Sequence, residues 1–203
     1  MAITLYQFER SQFCEKVRIV LDLKGLKYQK VNVPHNDRAE LINLSGQKKV
    51  PVIKDGDKVI IDSTYIVAHL EATYPENSVY PHQPSDKALA LLIEDWADEA
   101  LNAPIRALYR EKDDQALRDA AIKLLNEKLD YLDRLFGSKT FLFGKISIAE
   151  ISIYCQLRSF ETLLKMDMDP RFKSLKAWCQ TIKEHLLVKA SAHQSPSIPE
   201  PTG

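Results

Sequence analysis

A chain of 203 residues with 28 basic and 28 acidic side chains carries no net charge, and so has no whole-molecule field to hold a phosphate backbone; nucleic acid is excluded as a first expectation. A hydrophobic share of 45% against 28% charged residues suits one large or two smaller soluble units. No apolar run reaches the roughly 18–20 residues of a membrane helix, so no membrane partner is expected.

The chain enters directly into Ile3–Phe8, a short apolar and aromatic run that reads as a strand and not as a signal peptide. Glu15–Lys24 places Val17, Val20 and Leu21 at helical spacing and ends at Gly25, a residue suited to a helix C′ position. Lys27–Val33 reads as a second strand. The polar stretch from Pro34 to Lys49 is weakly periodic around Leu41 and Leu44. Val50–Ile53 and Lys58–Ile61 flank Asp55-Gly56, a hairpin signal, and Ser63–Thr73 reads as a helix stopped by Pro75. The order βαβ-α-ββα predicts a small mixed sheet, its first two strands parallel across a right-handed crossover.

Composition changes between Pro75 and Pro84, where three prolines in ten residues mark a linker. From Ser85 onward the chain reads helical. Ser85 is placed to cap a helix through Leu89, Leu92, Ile93 and Trp96, with a kink or break at Pro104. Asp113 or Asp114 starts a long helix that stops at Gly137. Ser147 and Glu150 form a capping-box pattern, and Asp169-Pro170 pairs an N-cap with proline at the first helical position. The expected division is therefore 1–75, a linker 76–84, an all-helical unit 85–190, and a tail 191–203 that lacks order.

Chemistry concentrates in two segments. In Phe8–Arg18, Ser11 and Cys14 flank the start of a helix, where free N–H groups and the positive end of a dipole favour an anion. Ser11 either caps the helix or donates a hydrogen bond to a bound thiolate. Cys14 is either a buried apolar residue or a thiol of lowered pKa. In Gln47–Ser63, proline at Val50-Pro51 leaves the Val50 N–H and C=O free to pair with an extended peptide, and its peptide bond is a candidate for the cis form. Asp62 suits an amine, and Ser63 with the N–H groups after it suits a carboxylate. The three cysteines include no CxxC pair, and the five histidines stand apart from any metal spacing, so neither a disulfide framework nor a metal site is expected. A reducing, cytoplasmic compartment fits.

In order and separation, SQFCEKVRIVLDLKG, KKVPVIKDGDKVIIDS, the linker and SIAE resemble the cytosolic glutathione S-transferases over nearly the whole chain to about Ala190. The resemblance implies a thioredoxin-like N-terminal domain, an all-α C-terminal domain, and a homodimer. It implies an enzyme of detoxification that activates the thiol of its co-substrate glutathione for attack on small electrophiles. Ser11 falls on the family's catalytic position, which suggests a serine-type, bacterial-like active site. Lys49 (with Lys48 and Gln47 as lesser versions), Val50, Pro51, Asp62 and Ser63 fall on its glutathione-binding positions. Trp96, Arg106 and Tyr109 are candidates for the acceptor pocket. Ser147 and Glu150 read as folding residues. The alternatives from other classes are a non-enzymatic binding or regulatory protein of the stringent-starvation type, and a thiol transferase dependent on Cys14.

Overall fold

The structure is a computed structural model, and it describes residues 3–137 and 139–193. The first half runs β1 (Ile3–Gln7), α1 (Gln12–Leu23), β2 (Tyr28–Asn32), α2 (Ala39–Ser45), β3 (Val52–Asp55), β4 (Lys58–Ile61) and α3 (Ser63–Thr73). The strands form one sheet in the order β2-β1-β3-β4, with β1 and β2 parallel and the β3–β4 hairpin antiparallel to β1. Alternation does the sorting. Ile3 and Leu5 of β1 and Ile53 of β3 pack against Val17, Val20 and Leu21 of α1 and against Ile66, Val67 and Leu70 of α3. Val52 faces the other way, with Val33 and Leu41, in a smaller cluster under α2.

The helix ends follow local chemistry. Gly25 lies at φ 68°, and the N–H groups of Gly25 and Leu26 return to the carbonyls of Asp22 and Leu21, a Schellman closure of α1. Gly56 at φ 61° turns the hairpin. Gly46 at φ 73° ends α2, a full helix where the sequence shows only weak periodicity.

The second half is helical: α4 (Pro84–Trp96), a π turn (Ala97–Leu101), α5 (Asn102–Arg110), α6 (Gln115–Leu135), α7 (Ile148–Leu164) and α8 (Lys173–His193). The apolar residues of both halves merge into one core, with α7 buried nearly all round. The linker is fastened at its start by Lys24, whose ammonium pairs with Glu71 at 2.8 Å and donates to the carbonyls of Tyr74 and Glu76.

Four local expectations need correction. Pro84, not Ser85, opens α4: proline fits the first helical position because its missing N–H has no partner there in any case. Pro104 does not break the helix. The π turn just before it widens the coil where the proline ring would meet the carbonyl four residues back, and α5 continues. Asp169-Pro170 does not start the last helix. It forms a turn closed by Phe172 N–H on the Asp169 carbonyl, and α8 begins at Lys173. Its first turn is capped from another helix, Asp133 of α6 accepting from Leu175 N–H at 2.8 Å. The tail expected from Ser191 is helical over its first three residues, since α8 continues to His193; residues 194–203 lie outside the described residues.

Candidate glutathione site

Strand register brings the two chemical segments together. Tyr6 pairs with Val52, and Val52 with Ile61. The exit of β1, the entry to β3 and the exit of β4 therefore lie at one end of the sheet, within about 10 Å across three strands. Ser11 follows the first, Val50-Pro51 precedes the second, and Asp62-Ser63 follows the third. The N-termini of α1 and α3 both open at this end, so two sets of unpaired N–H groups face the same place.

Ser11 is the N-cap of α1, with extended backbone and its Oγ accepting from Cys14 N–H at 3.4 Å. That contact uses a lone pair and leaves the hydroxyl proton able to rotate between the neighbouring Cys14 sulfur and a bound ligand. Capping and donation to a ligand are therefore compatible. Cys14 is fully buried among the core residues, and burial pushes its thiol up, against weaker pulls from Ser11, the Phe8 backbone and Arg18. Burial of this kind disfavours the thiolate, the reactive form of a cysteine.

Val50-Pro51 is cis. The β1–β3 ladder ends at Val52, and no backbone bond among the described residues engages Val50. Lys49 is exposed, and Arg38 reaches across to the neighbouring Lys48 carbonyl at 2.8 Å. Asp62 sits at φ 68°, a conformation that costs a non-glycine residue on the order of 1–3 kcal/mol. The strain turns its carboxylate onto Thr64 N–H at 2.9 Å. It also sets Ser63 as the first residue of α3, buried, with its hydroxyl unpartnered among the described residues.

Of the acceptor-pocket candidates, Trp96 packs edge-on to Tyr131 of α6 with Lys128 over its face, while Arg106 and Tyr109 are exposed on α5. Side chains that the sequence motifs do not single out join α1 to the second half. Gln12 donates to Asn102 at 3.1 Å, and Lys16 reaches Glu94 and Asp98. Nothing in the sequence pairs positions so far apart. Lysine inside the apolar face of α1, at the spacing of Val17 and Val20, is the one available signal. His69 is half-buried and bonds Asp55 at 2.8 Å, with Tyr74 donating to the same carboxylate.

Comparison with known proteins identifies the family. Residues 5–78 match the model of the glutathione S-transferase N-terminal domain, and residues 115–181 that of the C-terminal domain. The chain belongs to the glutathione S-transferase family. Among curated family members, it is 28% identical over 198 residues to Glutathione S-transferase U2 of Arabidopsis thaliana, covering 93% of this chain and 87% of that one. It is 28% identical over 153 residues to a probable glutathione S-transferase of Nicotiana tabacum, covering 74% and 67%. Two solved structures share the fold. A glutathione transferase from Methylococcus capsulatus superposes with a TM-score of 0.80 at 19% identity, over 95% of this chain and 98% of that one. A Tau class glutathione S-transferase from mango, Mangifera indica, gives 0.77 at 20%, over 95% of each chain.

Proposed function

We propose that the protein binds glutathione at this end of the sheet and transfers it to small electrophiles. What carries the reading is the convergence of Ser11, the free Val50 backbone edge and the Asp62-Ser63 turn. The cysteinyl backbone of glutathione adds as a short strand to Val50. The γ-glutamyl ammonium meets Asp62, its carboxylate meets Ser63 and the α3 N-terminus, and Lys49 meets the glycyl carboxylate. The thiol loses its proton to solvent, and the thiolate is held by the Ser11 hydroxyl and the α1 dipole. It then attacks an electrophilic carbon, forming the C–S bond as a leaving group such as halide departs.

The site is accordingly of the serine type, and the same residue supports a bacterial-like subclass. The glutathione-binding unit extends over 1–75 and the acceptor unit over 85–190. Retention on immobilised glutathione, followed by conjugation of a chromogenic aryl halide, tests the activity. Retention without turnover would favour the binding-protein reading. The Cys14 reading is not favoured, because that thiol is buried.

Ser63→Ala is expected to weaken glutathione binding by about 1–3 kcal/mol, roughly five- to a hundredfold, since a charged ligand group loses a buried partner. Equal affinities of variant and parent in calorimetry would remove Ser63 from the site.

We also propose a homodimer, acting in the cytoplasm in detoxification. Val59, Ile61 and Tyr65 of the first half and Leu89 and Leu92 of the second are apolar and exposed, Tyr65 and Leu92 at 69% and 67%. A two-fold pairing would cover them. Light scattering at twice the chain mass, reduced to one chain mass by Leu92→Glu or Tyr65→Glu, is the expected result. One chain mass for the parent at every dilution would refute it.

A further inference from the structure

Lys16 is a fully buried ammonium in the contact between the two halves. It pairs with Glu94 at 2.8 Å and with Asp98 at 2.5 Å, both from the α4–π segment. Glu94 Oε1, which accepts from Lys16, also accepts from Thr64 Oγ1 at 3.1 Å. One carboxylate oxygen therefore ties α1, which carries Ser11 at its N-terminus, to α3, which carries Ser63 at its own. Asp98 is steadied from the other side by Gln156 of α7 at 3.3 Å.

The π turn explains why these groups line up. Residues four apart on an α-helix drift by about 40° around the axis. A π turn takes more residues per revolution and reverses that drift. Glu94, Asp98 and Asn102 thus stay in one row, facing Lys16 and Gln12, themselves four apart on α1. Gln12 donates to Asn102 at 3.1 Å, directly beside Ser11.

The cluster holds two carboxylates against one ammonium, and Glu94 Oε2 and Gln156 Oε1 are buried with no partner among the described residues. Burial by itself lowers the pKa of Lys16, but Asp98 and Glu94 outweigh it and hold the ammonium above its ordinary value. Burial pushes both carboxyls up, against the pull of Lys16. Without the lysine, two buried acids would stand unpaired along the face that seats α1.

We propose that Lys16 is a positioning residue for glutathione activation: through Glu94 it fixes the α1 N-terminus against the α3 N-terminus, and so sets the Ser11 hydroxyl relative to the Asp62-Ser63 pocket. The inference rests on the proposed glutathione site. It assigns Lys16 no contact with the ligand. A salt bridge of merely structural value would lower the melting temperature and leave the chemistry alone. A positioning residue must also move properties of the bound thiol.

The test compares Lys16→Met, Lys16→Arg and the parent in full-length protein. The readouts are KM for glutathione, KM for the electrophile, kcat, and the pKa of bound glutathione from thiolate absorbance. Lys16→Met is expected to raise KM for glutathione about tenfold and the bound-thiol pKa by about half to one unit, as a displaced charge-assisted donor would. KM for the electrophile should stay unchanged, and Lys16→Arg should restore most of the loss. If Lys16→Met does not fold, the neutral combination Lys16→Met, Glu94→Gln, Asp98→Asn removes the charge conflict and takes its place. Unchanged glutathione KM and thiol pKa in the folded variant overturn the inference. Absence of glutathione binding in the parent would instead overturn the functional reading on which it rests.

Discussion

Ser11→Ala is expected to raise the pKa of bound glutathione by about one to two units and to slow conjugation at neutral pH by about ten- to a hundredfold. The hydroxyl donates only to the thiolate form, so its removal disfavours that form. The sign fixes the pH profile. Below both pKa values, a thiol pKa raised by about one leaves the variant with about ten times less thiolate than the parent. Above both, thiolate fractions converge and the deficit shrinks. Thiolate absorbance against pH, with turnover alongside, measures both. Cys14→Ala is the control: its Sγ is buried, and losing it should cost about 1 kcal/mol of stability while leaving conjugation nearly intact. If Cys14→Ala abolishes activity and Ser11→Ala does not, the thiol-transferase reading replaces the serine one.

The largest effect on stability is expected at Glu150. Its carboxylate is fully buried and accepts from Leu142 N–H at 2.6 Å, from Ser147 N–H at 2.9 Å and from Ser147 Oγ at 2.5 Å. It therefore closes the capping box of α7 and also pins the 139–147 loop onto the central helix. Glu150→Ala leaves the Leu142 and Ser147 N–H groups without their acceptor, and the Ser147 hydroxyl, which still accepts from Ala149 N–H, without the carboxylate it donates to. The expected cost is about 3–5 kcal/mol, a large share of the stability of an ordinary domain. Urea denaturation is the measurement, with Glu150→Gln as the comparison, since an amide oxygen retains part of the acceptor role. A loss of less than about 1 kcal/mol for Glu150→Ala, the scale of one ordinary hydrogen bond, would show that water replaces the carboxylate and that the loop is not held by it.

Much of the fold is legible in the residues alone, because the signals are local. Ser63–Thr73 and its stop at Pro75 follow from periodicity and a breaker. The Asp55-Gly56 hairpin follows from turn chemistry, and the Ser147-Glu150 cap from a four-residue pattern. The Val50-Pro51 edge and the Asp62-Ser63 turn are likewise readable from residue types. Helix α2 is only half visible, because it buries little beyond Leu41 and so has almost no apolar stripe. The start of α8 is hidden for a different reason. Asp169-Pro170 has the composition of a helix start, but the acceptor that caps the helix is Asp133, on α6.

The sequence by itself determined the order of elements, the change from mixed sheet to helices at the linker, and the identity of the residues grouped at the candidate site. Those features rest on interactions spanning a few residues: side-chain period, capping, turns, and proline's missing donor. Tertiary structure alone decided how Ser11 relates to Ser63, because their distance is set by strand register and by Glu94, thirty residues beyond Thr64. It alone decided that Cys14 is buried, since a thiol on the first turn of a helix faces either solvent or sheet according to how that helix packs. It alone paired Lys16 with Glu94 and Asp98: a lysine on an apolar face is intelligible only when the carboxylates that offset its burial arrive from the other half of the chain.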